Sequence, residues 1–164
     1  MSELLKKQNY GVEVEFTGIS RKMAADAVAE IIGTTASRPD HTCYQTRTIQ
    51  DSQGRKWKVM RDSSINPIRK VGTENMDEYR VEFVTPILKY EDLDTLQAII
   101  RKFREIGGVP HASCGIHIHV DGANHTVSGL VPELVENSQT IGLFGDNSGT
   151  IKDVIVDGVV LYNG

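Results

Sequence analysis

A chain of 164 residues, 39% hydrophobic and 24% charged, can bury one core and shows no complement for a second. Its net charge of −4, from 18 basic and 22 acidic residues without dense basic runs, gives no electrostatic case for nucleic acid or an anionic membrane as partner. The opening MSELLKKQNY has no apolar run behind its charges, so neither a secretory signal nor a spanning helix is expected and the chain is read as cytoplasmic; its two cysteines, Cys43 and Cys114, are expected as reduced thiols.

Residues 10–17 (YGVEVEFT) alternate strictly. Tyr10, Val12, Val14 and Phe16 fall on one face and Gly11, Glu13, Glu15 and Thr17 on the other, which predicts a half-buried strand. Ser20 is placed to cap a helix in which Ala24, Val28, Ile31 and Ile32 recur at helical spacing until Gly33 ends it. Residues 41–49 and 55–61 read as two strands joined by a hairpin turn at Asp51–Gly54. From Asn66 to Asp77 the periodicity lapses around Pro67 and Gly72, predicting a surface loop before a strand over Glu78–Thr85 that Pro86 stops.

Leu93, Leu96, Ile100 and Phe103 make the apolar stripe of a second helix over Glu91–Ile106, with Arg101, Lys102 and Arg104 near its C-terminal end. Cys114–Asp121 alternates again, with Ile116, Ile118 and Val120 opposite Gly115, His117, His119 and Asp121. Cys114 shares the parity of Ile116 and Ile118, so a buried, inert thiol is expected there. Further on, Val127–Asn137 reads as a short helix broken by Pro132, and Ile151–Tyr162 as β-like. Residues 1–126 are taken as the core and 127–164 as a short divergent segment.

Residues two apart on a strand point the same way, so Glu13 and Glu15 present two carboxylates to one side. On an inner sheet face they repel each other unless a divalent cation supplies the missing charge; on an outer edge they are ordinary solvated groups. His117 and His119 likewise share a face, as ligands of a borderline divalent ion or as a hydrogen-bonded core pair. Glu82 stands beside Arg80, opposite Val81 and Phe83, and Lys58, Met60 and Asp62 share one face at a strand end, where the lysine could meet a phosphate. Phosphate-cradling glycine loops and a G-x-S-x-G elbow are missing from the sequence.

Taken in order, YGVEVEF, WKVMRDSS, VEFVTP and CGIHIHVD resemble the amidoligase family, related to glutamine synthetase and glutamate-cysteine ligase, over roughly residues 9–125. The resemblance implies an α+β fold, a mostly antiparallel sheet forming a half barrel over two main helices, with the E-x-E, second Glu and H-x-H strands facing the cavity. It implies an ATP-dependent carboxylate-amine ligase working through an acyl phosphate with Mg2+ or Mn2+. Glu13, Glu15, Glu82 and His117 would hold the metal. His119, Lys58 and Asp62 would form the catalytic set, and Lys58, Arg61 and Ser64 would meet the nucleotide. The implied partners are a small-molecule or peptide carboxylate and an amine, with self-association favoured if a clipped half barrel exposes apolar surface.

Family members continue into a longer, mostly helical half that supplies basic residues, whereas residues 126–164 contain no arginine. Arg47, Arg55, Arg61, Arg69 and Lys70 are the substitutes, should the 66–77 loop close over the site. Two alternatives therefore stand beside the ligase: a catalytically silent, metal- or nucleotide-binding relative acting as an interaction module, and a metal-dependent hydrolase.

Overall fold

The computed structural model describes residues 7–68 and 75–120, which form an α+β arrangement of five strands and two helices. Strand β1 is Tyr10–Phe16. Helix α1 (Arg21–Ile32) starts where Ser20 Oγ accepts the Met23 amide at 3.2 Å, and stops at Gly33, whose φ of 78° costs a glycine little. Strands β2 (Arg47–Gln50) and β3 (Lys56–Met60) form the expected hairpin, closed by the Gly54 amide on Asp51 O at 3.0 Å. Strand β4 is Val81–Val84, α2 is Leu93–Glu105 and β5 is Ile116–Val120. None of the helices among the described residues is long and apolar enough to cross a membrane.

Several element starts differ from those predicted, each for a local polar reason. The segment before Arg47 is a turn, because Asp40 Oδ1 takes the Thr42 and Thr46 amides at 3.1 and 3.0 Å and the Thr42 hydroxyl at 2.7 Å, outcompeting a strand ladder. Met76–Tyr79 is a 3-10 turn capped by Asn75, so β4 begins at Val81 rather than Glu78. Asp92 takes the Lys89 amide at 2.8 Å, which makes Tyr90–Asp92 a 3-10 turn and delays α2 to Leu93. The predicted elements over 127–137 and 151–162, and residues 69–74 of the loop, lie outside the described residues.

The sheet is antiparallel throughout, in the order β2-β3-β4-β1-β5, and is not closed. The helices cover one face only: α1 packs over β2, β3 and β4, and Phe103 of α2 meets Phe16 and Phe83 at ring-centroid distances of 4.8 and 5.2 Å. Trp57, Val59, Val81 and Phe83 are fully sealed in that layer. A bidentate Arg55–Asp92 pair, both contacts 2.9 Å, ties the β2–β3 hairpin to the start of α2.

Among the described strands β5 lies at the far edge of the sheet, beyond the helical layer, with Ile116 66% and Ile118 65% exposed. This corrects the expectation for Cys114: it is half-buried, and the isoleucines that share its parity are exposed.

Candidate metal and carboxylate site

The sheet register assembles the polar face. Lys58, Val84, Glu13 and His117 line up across β3, β4, β1 and β5, and the neighbouring row contains Met60, Glu82 and Glu15. Gly11 pairs with His119 one row further along. These side chains alternate with the apolar residues that face the helices, so the period that buries the core also gathers the carboxylates.

Glu15, Asp62 and Glu82, all half-buried, bring one oxygen each within 4.8 Å of one another. Glu15 Oε2 accepts the Gly115 amide at 2.8 Å, and Asp62 Oδ1 accepts the Ser64 amide at 2.7 Å. Beside them Glu13 spans both histidines, with Oε2 3.3 Å from His117 Nδ1 and Oε1 3.2 Å from His119 Nε2. Burial, and then the carboxylates of Glu13, Asp62 and Glu15, push the Glu82 carboxyl up to about 7, with His117 opposing.

Whether a cation fits can be asked of the donors themselves. Three half-buried carboxylate oxygens at this separation suit a hard divalent ion such as Mg2+ or Mn2+, whose charge would offset the burial and carboxylate crowding that raise Glu82. The residues fit the group. A cavity of about 220 Å³ lies at the Glu13–His119 end of the face, bounded by Gly11, Glu13, Val84, Pro86, Ile87 and His119.

A family model described as "Putative amidoligase enzyme" matches residues 6–138. The chain belongs to the amidoligase family. The match runs through every element from β1 to β5 and points to a ligase-type enzyme. Comparison with curated proteins and with solved structures returned no match.

Within this amidoligase, the residues singled out from sequence divide into groups. Glu15 and Glu82 stand together, whereas Glu13 stands with His117 and His119; Asp62, assigned from sequence to the catalytic set, completes the carboxylate trio. Lys58 is exposed on the same face, in the Glu13 row. Ser64 is exposed and meets Asp62 through its amide.

Arg61 is turned to Asp77, with Nε 2.9 Å from both carboxylate oxygens. Arg55 is held by Asp51 and Asp92, and Arg47 by Ser37 O at 3.3 Å. Arg69 and Lys70 lie outside the described residues. Sequence reasoning missed the Gly115 amide on Glu15, and it set Arg80 beside Glu82 without its partners, which are Asp77 and the carbonyls of Ser63 and Ile65. Parity could not reveal those carbonyl contacts, because it describes strands and they lie on turns.

Proposed function

We propose that this amidoligase joins a carboxylate to an amine at the expense of ATP, with a divalent cation on Glu15, Asp62 and Glu82. The observation that supports this most is the approach of those three carboxylates to within 4.8 Å on the sheet face opposite the helices, in a chain of this family. The cation, when bound, would neutralise phosphate oxygens during transfer. In the reaction a substrate carboxylate oxygen bonds to the terminal phosphorus of ATP as the bond to ADP breaks. An amine then attacks the acyl carbon, phosphate leaves, and the amine proton passes to a base on the same face.

The chain's own groups divide this work. Glu13 orients His117 and His119 through its two oxygens, which places imidazole groups beside developing negative charge. Lys58 adds a point charge in the same row. The 220 Å³ cavity next to His119 falls below the roughly 300–1,000 Å³ of whole-ligand pockets, so it suits a portion of the acyl substrate while the nucleotide lies along the polar sheet face. Continuation of the sheet into a half barrel would deepen that face.

Hydroxylamine trapping tests the reading: with ATP and Mn2+, a hydroxamate and ADP form together from at least one member of a carboxylate panel. Absence of both across the panel removes the ligase. One observation favours a second reading, a metal-binding relative without turnover: Arg55 and Arg61 are already committed to carboxylates rather than free for phosphate. In that case Mn2+ binds and ATP stays intact.

A further inference from the structure

Asp62 is the member of the carboxylate trio that no strand carries: β3 ends at Met60, and Asp62 stands on the segment that follows. A ligand set needs its donors held to within about 0.5 Å, so something must fix that segment. Arg80, immediately before β4, is placed to do so. Its Nη1 donates to Ser63 O at 2.7 Å and also to Ile65 O. Those carbonyls bracket Ser64, whose amide donates to Asp62 Oδ1 at 2.7 Å.

Arg80 is itself oriented. Its Nε lies 3.4 Å from Asp77 Oδ1, and its carbonyl accepts Arg21 Nη1 at 3.2 Å. Asp77 also receives Arg61, from the same segment as Asp62, at 2.9 Å. The 61–65 segment is thus tied from both ends to one arginine–aspartate hub, while Ile65, fully buried, anchors its far side. A planar guanidinium can keep one edge on the carbonyls and another on a carboxylate, which an ammonium matches only in part.

We propose that Arg80 is a positioning residue that sets Asp62 into the carboxylate cluster, an inference that rests on the metal-site reading above. Mn2+ binding by calorimetry to the wild type, Arg80→Gln, Arg80→Lys, Asp62→Asn and the Arg80→Gln/Asp62→Asn pair tests it, alongside amide exchange over residues 61–66 without metal.

Arg80→Gln is expected to weaken Mn2+ about tenfold or more, the usual scale for a group that orients a metal ligand. Arg80→Lys recovers part of the loss. On the Asp62→Asn background Arg80→Gln adds nothing further, because a positioning group acts through the residue it positions. Exchange at the Ser64 amide rises in Arg80→Gln while the sheet amides stay protected. Equal losses on both backgrounds, or unchanged Ser64 exchange, overturn the proposal. A wild type that binds no Mn2+ removes the metal-site reading instead, and Ser64 exchange then still decides whether Arg80 fixes the Asp62 segment.

Discussion

Glu82 is half-buried with Glu13, Glu15 and Asp62 nearby, and its carboxyl holds a proton up to about 7 against an ordinary 4.5, chiefly through burial. The folded protein therefore binds this proton more tightly than the unfolded chain does. Between pH 4.5 and about 7 the group lowers stability as pH rises, with no further change above about 7. Glu82→Gln should flatten that stretch of the curve of melting temperature against pH in metal-free protein, and an unchanged slope would assign it to other groups. With Mn2+ present the wild-type dependence should reverse, because the ion and the proton compete for one oxygen.

Gly115 has a narrower role. A Cβ there would lie 3.3 Å from His117 Nε2, so Gly115→Ala should displace the imidazole by a few tenths of an ångström. Hydroxamate formation should fall with Mn2+ binding and the metal-free melting temperature nearly unchanged; a large drop in that temperature would mean the glycine serves the backbone.

At the scale of elements, the Arg55–Asp92 pair joins a hairpin to a helix that are distant in sequence. The side chains are only 24% and 11% exposed, and Asp51, 8% exposed, receives the same guanidinium. Removing one partner leaves charge stranded in a poorly solvated place, so Arg55→Ala should cost about 3 kcal/mol in urea unfolding while leaving Mn2+ affinity alone. A loss below about 1 kcal/mol would class the pair with exposed ion pairs.

Legibility from sequence was greatest in these elements. Alternation in YGVEVEF and CGIHIHV was enough to put Glu13, Glu15, His117 and His119 on one side, because strand geometry fixes parity without knowledge of neighbours. Strand order was out of reach, so the sequence could not show that β4 sits beside β1 and places Glu82 opposite Glu15. Turns hid more. The Asp40 hydroxyl and amide network and the Arg80 contacts to Ser63 and Ile65 are polar arrangements with no periodic signature.

At the scale of the whole molecule, the helices among the described residues cover one face of the sheet and the polar side chains gather on the other. If Glu15 helps hold the cation, Mn2+ at about a hundred times its dissociation constant should stabilise the wild type by about 2.7 kcal/mol. Glu15→Gln should lose that gain and keep the metal-free melt. Thermal scans with and without Mn2+ read both, and an identical Mn2+ response in the variant would move the ion elsewhere.

The two halves of the polar face have unequal footing. Glu13, Glu15 and Glu82 stand on β1 and β4, each paired on both sides, whereas His117 and His119 stand on β5, which pairs with β1 alone among the described strands. Edge strands are the first to fray. Glu13, 3.3 and 3.2 Å from the two imidazoles, is the clasp that ties this edge to the central strands, and its loss would let β5 breathe while Glu15 and Glu82 stay in place.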